Sequence, residues 1–120
     1  MTVIDTNVIL RYLLNDIPEQ ADEAAKIIGN GATSFPEIIA EVVYVLVKLY
    51  SVPREKINEI VSPVIDEIEF ENADVVKAAL YYYSHTKFDF VDSLLLARKQ
   101  ILNEDIFTFD KKLAARLKEI

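Results

Sequence analysis

Four acidic residues, Asp5, Glu41, Asp92 and Asp110, stand where a carboxylate can do chemistry. Asp5 follows the β-branched run Thr2-Val3-Ile4 and precedes the apolar, helix-periodic Val8-Ile9-Leu10-Arg11-Tyr12-Leu13-Leu14. Asp110 stands in the same way between Ile106-Phe107-Thr108-Phe109 and Lys111-Lys112-Leu113, so both junctions read as strand, Asp, helix. Phe88-Asp89-Phe90-Val91-Asp92 opens a third apolar helix, placing Asp92 at its amino end, and Glu41 lies one turn into a helix that is apolar nearly all round. A parallel sheet brings strand ends and the helix starts that follow them to one edge, where ligands of open α/β sheets bind. Four carboxylates gathered there repel unless a cation neutralises them. Their convergence therefore implies a divalent metal suited to phosphodiester chemistry, orienting and activating a water and stabilising charge on the phosphorus oxygens.

Each acid also has a plainer role. Asp5, Asp89 and Asp110 are well placed as N-caps, satisfying free amides and facing the positive end of a helix dipole. Asp89 with Asp92 three residues on has the spacing of a capping box, though such a box normally carries Glu or Gln in the second place. Glu41 either needs a cation among apolar neighbours or lies on a narrow solvent-facing stripe; periodicity alone leaves both open.

Composition narrows the choice of metal. The 120 residues include no cysteine and one histidine, so a disulfide framework and a Cys/His zinc site are excluded and an ion would be held by oxygen. That selects Mg²⁺ or Mn²⁺. At 52% hydrophobic residues the chain can bury a core as one domain over residues 1–120. Asp5 interrupts the amino end, and Glu41 and Lys48 interrupt the longest apolar segment, so neither a signal peptide nor a membrane span is expected and a cytoplasmic protein is. The net charge of −7 runs against a nucleic-acid partner at first sight. It is unevenly spread: residues 85–120 carry seven Lys/Arg against six acids, and residues 1–84 carry six against fourteen.

The elements that must position these residues follow in order. Pro18 opens a second helix running to about Ile28, and Gly29-Asn30-Gly31 closes it in a left-handed cap. Ala32-Thr33-Ser34-Phe35 is a weak strand, Pro36 opens the apolar helix to about Tyr50, and Pro53 opens another ending near Ile65. Glu67-Ile68-Glu69-Phe70 alternates as a strand, and Asn72 caps a helix from Ala73 to about His85. The Tyr81-Tyr82-Tyr83 cluster on that helix suits packing better than base stacking, and His85 suits a satisfied helix end. Strands alternating with helices predict an α/β sandwich around a mainly parallel sheet.

The blocks Val3-Ile4-Asp5-Thr6-Asn7-Val8-Ile9-Leu10-Arg11, Ala40-Glu41-Val42-Val43-Tyr44-Val45-Leu46, Asp89-Phe90-Val91-Asp92-Ser93-Leu94-Leu95 and Thr108-Phe109-Asp110-Lys111-Lys112-Leu113 resemble, in order and spacing, the PIN-domain ribonucleases. They are most similar to the VapC-type toxins of prokaryotic toxin–antitoxin pairs, and the resemblance spans the chain. It implies a three-layer PIN-like fold, a central, mainly parallel sheet flanked by helices, and a single PIN domain. It implies Mg²⁺- or Mn²⁺-dependent cleavage of RNA, a homodimer, and inhibition by a small antitoxin protein. Carried over position by position, the acidic site falls on Asp5, Glu41, Asp92 and Asp110, which would hold the metal and carry catalysis. Asp89 matches an auxiliary acid, and Thr6, Asn7, Ser93 and Thr108 match polar positions beside the acids. Lys111 and Lys112 are candidates for phosphate contact or solvated helix-start residues.

Other functions remain in view. An aspartyl-phosphate phosphatase needs a second Asp two residues after the first, where this chain has Asn7. A phosphoryl-accepting receiver domain wants paired acids after the first strand, and Asp5 stands alone. An RNA-processing nuclease without an antitoxin, or a non-catalytic PIN-like binding module whose acids are only caps, would share the fold.

Overall fold

In the computed structural model, which describes residues 1–120, strand β1 (Thr2–Val3) runs to Asp5 and α1 (Thr6–Leu14) starts at once. α1 stops at Asn15, which takes the left-handed conformation that Asn tolerates at a helix end. α2 (Pro18–Gly29) and α3 (Pro36–Lys48) both begin on a proline, whose missing amide is no loss in the first turn. Between them lies β2 (Ala32–Thr33). The expected left-handed cap over residues 29–31 is confined to Gly31 (φ +104°), because α2 continues through Gly29 and Asn30 stays right-handed. Gly31 makes its turn where its carbonyl accepts the Thr2 amide at 3.2 Å.

β1 and β2 are parallel, pairing Thr2 with Ala32 and Val3 with Thr33, and α1 and α2 form the crossover between them. Glu69 adds a single parallel bridge to Thr33. The class is α/β, but the central sheet is two strands, smaller than the alternating pattern predicted. Of the expected strand 67–70, Glu67 ends α4 (Arg54–Glu67) and only Glu69 reaches the sheet. The segment 106–109 forms no strand at all. Its aromatic residues have strand propensity, but that propensity expresses packing on a half-buried pleated surface. Phe107 and Phe109 have none: they are 81% and 91% exposed, and their rings meet each other edge to face.

Helices supply the core. α5 (Ala73–His85) lies between α4 and α6 (Phe90–Leu102), with α7 (Lys111–Lys118) against α6 and α1 against α2 and α3. Ile57, Val61, Ile65, Val76, Leu80 and Leu96 are fully enclosed in this stack. Tyr82 and Tyr83 join it, as packing predicts, and the Tyr82 hydroxyl donates to Gln100 Oε1 at 2.7 Å. Tyr81 stays exposed and stacks on His85, whose Nδ1 lies 2.8 Å from the Tyr81 carbonyl at the helix end.

Leu80→Ala should lower unfolding free energy by about 2–5 kcal/mol, since it leaves a cavity at the centre of the helix stack. Urea denaturation with an unchanged slope is the check. A loss below about 1 kcal/mol would mean that the α4/α5/α6 layer collapses to fill the space.

Candidate functional site

Three of the acids are held by the helices they start. Asp5 Oδ1 accepts the Val8 amide at 3.1 Å, Asp89 Oδ1 the Asp92 amide at 2.7 Å, and Asp110 Oδ1 the Leu113 amide at 2.9 Å. All three residues have extended backbone, as an N-cap requires. Each cap uses one oxygen, and a carboxylate has a second with lone pairs for a cation. Capping and ligation are therefore compatible on the same side chain.

Glu41 is exposed, not enclosed by apolar neighbours. α3 buries Ile39, Val42, Val43 and Leu46, while Glu37, Glu41, Tyr44 and Lys48, spaced four, three and four apart, form its exposed stripe. Since α1 packs against α3, Glu41 and Asp5 line one cleft of about 310 Å³ together with Thr6, Asn7 and Ile38. The Thr6 hydroxyl is buried in the same wall and has no hydrogen-bond partner in the protein. A buried hydroxyl left without a partner is costly, and it stands in the residue next to Asp5 in the chain.

Asp92, Asp89 and Asp110 form a second group. The Asp92 carboxyl is pushed above the usual carboxylate range by burial first, then by the charges of Asp89 and Asp110. Ser93 is fully buried and donates to the Asp89 carbonyl at 2.8 Å; Thr108 Oγ1 accepts the Asp110 amide at 3.0 Å. Both residues shape the turns that carry the acids. Asn7 is exposed beside Asp5, and Lys111 and Lys112 are exposed beside Asp110.

The structure thus pairs Asp5 with Glu41 and groups Asp92 with Asp89 and Asp110, but no three acids or histidines stand close enough together to hold one ion. The donors match a hard divalent cation in kind: they are all oxygen, the second group carries like charge that a cation would offset, and Thr6 is unpartnered. Exposed Glu41 is free to change rotamer, whereas moving Asp5, Asp89 or Asp110 onto an ion with other than the free oxygen would break a cap hydrogen bond.

Arg54 is a positioning residue that no local signal announces. Its Nε donates to the Tyr83 carbonyl at 3.0 Å, its Nη2 donates to the Phe88 carbonyl, and its guanidinium lies 4.0 Å from the centre of the Tyr83 ring. It fastens the start of α4 to the turn that delivers Asp89. Arg11 is taken up by Asp16, at 3.1 Å, and by the Tyr50 hydroxyl.

A family model described as PIN domain matches residues 2–119. No curated protein and no solved structure matches the chain.

The raised Asp92 sets a pH dependence. The folded chain holds that proton to higher pH than the unfolded chain, so this group favours the fold at acid pH. Its contribution is lost as pH rises from the ordinary aspartate range through the raised value. Asp89→Asn, which keeps the cap, should bring the Asp92 midpoint down and flatten that dependence. Carbon-13 NMR titration of the carboxyls reads it directly; an unmoved midpoint would remove Asp89 as a cause and leave burial and Asp110.

Proposed function

The chain belongs to the PIN-domain family, whose members are typically nucleases and generally use divalent metals, and we propose on that premise that it is a Mg²⁺- or Mn²⁺-dependent endoribonuclease, the toxin of a toxin–antitoxin pair. The observation that carries this reading is the cleft that Asp5 and Glu41 line together with Thr6, whose buried hydroxyl has no partner in the protein. Asp5, Asp92 and Asp110 are the residues that would hold the metal, directly or through water, and Glu41 would bind it or orient the attacking water; bringing them to one ion requires the two acidic groups to close on it. When bound, the ion supplies charge to the phosphorus oxygens and acidity to a coordinated water. Asp89 fixes the amino end of α6 and thereby Asp92. Asn7 and Thr6 flank Asp5, and Ser93 and Thr108 hold the turns of Asp89 and Asp110. Lys111 and Lys112 lie next to Asp110, where a substrate phosphate would sit.

The partners of this reading are RNA, a second copy of the chain and a small antitoxin protein that covers the acidic cleft, in a cytoplasmic setting. No helix is long and apolar enough to cross a membrane. One observation favours a second reading, a non-catalytic module: Asp5, Asp89 and Asp110 all have work as caps.

Asn caps a helix as well as Asp does, so Asp-to-Asn changes separate the two readings. Purified protein, free of any partner, is incubated with defined single-stranded and hairpin RNAs in Mg²⁺, Mn²⁺ or EDTA. Asp5→Asn and Asp110→Asn should each reduce cleavage by about a hundredfold or more while leaving the melting temperature close to wild type. Metal-independent or undiminished cleavage would reject the assigned site. Calorimetry with Mn²⁺ should give a saturable heat that Asp110→Asn removes; its absence in the wild type, with no cleavage, supports the non-catalytic module.

A further inference from the structure

We propose that the cleft next to the acids, bounded by Tyr44, Lys48, Arg54 and Lys87, is the seat of an unpaired nucleotide flanking the bond to be cut, with its base on Tyr44 and its phosphate on the two lysines. The inference rests on the ribonuclease reading and gives it a substrate form: single-stranded RNA.

The cleft has a volume of about 340 Å³ and lies where α3, α5 and the start of α6 meet. It shares no lining residue with the Asp5/Glu41 cleft and is tied to the acids by Asp89 on one wall and by the exposed stripe of α3 on the other. On α3, Tyr44 and Lys48 follow Glu41 by three and seven residues on the same exposed stripe, so the lysine stands about 10 Å further along the axis than the acid. On the other wall, Asp89 and Val91 belong to the turn and helix start that carry Asp92.

Charge distinguishes this cleft in a chain with 20 acids and 13 Lys/Arg. Lys48, Lys87 and Arg54 surround it, and Asp89 is its one acidic lining residue. None of the three cations is in an ion pair: the charged pairs of the molecule use Arg11, Lys56, Lys77, Arg98 and Arg116. Arg54 spends its N–H groups on two carbonyls, which leaves its positive charge unopposed by a carboxylate. Unneutralised cations beside an acidic site attract a polyanion and hold it next to the carboxylates without adding to their repulsion.

Tyr44 supplies what phosphate contacts alone lack. It is 61% exposed on the outward stripe of α3, and exposed Val91 lies on the opposite wall. A flat aromatic between cations takes the face of an unstacked base, a surface every base offers and duplexed bases do not.

Binding is measured by fluorescence anisotropy of a short labelled RNA, single-stranded or duplexed, with Mg²⁺ present and Asp5→Asn as the non-cleaving background. Tyr44→Ala should weaken single-strand binding about tenfold, with Tyr44→Phe close to the parent. Lys48→Ala with Lys87→Ala should lower the slope of log Kd against log salt by about 0.7, one phosphate contact's worth, while Lys26→Ala on α2 leaves it unchanged. The duplex should bind more weakly than the single strand and ignore Tyr44→Ala. Unchanged affinity and slope in the Tyr44 and lysine variants would overturn the cleft assignment even if the wild type cleaves RNA, leaving the ribonuclease reading intact. Lysine-dependent single-strand binding by a chain that cleaves nothing would uphold the cleft and reject catalysis. Lysine-dependent capture of a Glu-rich peptide with no RNA binding would overturn the RNA assignment.

Discussion

The hydrogen bond from a first-turn amide to an aspartate carboxylate is the interaction on which the acidic end of the molecule depends. It occurs at Asp5, Asp89 and Asp110, and each time it ties the place of an acid to the place of a helix. The helices are in turn fixed by what they bury: Ile9 and Leu10 of α1, Phe90 and Leu96 of α6, Leu113 and Leu117 of α7. The spacing of the carboxylates is therefore an outcome of core packing. Asp92 shows the consequence, since the Asp89 cap that anchors its amide also brings a second carboxylate beside its own. Positive helix ends lower the repulsion among such groups, and a bound cation would lower it further.

α3 joins this acidic region to the rest of the surface. Its buried side locks it into the core, and its exposed stripe changes from Glu37 and Glu41 to Tyr44 and Lys48 within three turns. Acid chemistry and polyanion attraction need opposite charges close together. A single helix stripe meets that need at fixed separation, because 1.5 Å of rise per residue sets the distance. Arg54 does the corresponding work on the far wall, holding the α5/α6 turn through two carbonyls and keeping its charge unpaired.

Local signals were legible in the sequence and long-range ones were not. The Asp5, Asp89 and Asp110 junctions were readable because an N-cap is a local event, decided by a side chain and amides three residues on. The family was readable because four such blocks kept their order, and the PIN-domain match covers residues 2–119. The strand at 106–109 was misread for the converse reason: propensity is local, but a strand exists only where another pairs with it. The setting of Glu41 stayed open because α3 is apolar on most sides, and only packing decides which stripe is left outside. Arg54 gave no sign at all, since its acceptors lie 29 and 34 residues away.

Whether the aspartates are only caps is answerable in part from the other helices. α2, α3, α4 and α5 begin at Ile17, Phe35, Pro53 and Asn72, and none of these makes a side-chain cap hydrogen bond. Helices of this protein therefore start without side-chain caps when tertiary packing holds them. Where a side-chain cap does occur it is an aspartate all three times, although Asn and Ser satisfy the same amides about as well. Capping does not require the negative charge, and the charge is costly where Asp89 and Asp110 press on Asp92. A role that uses the charge would account for what capping leaves over, and the binding of a hard cation proposed above is such a role.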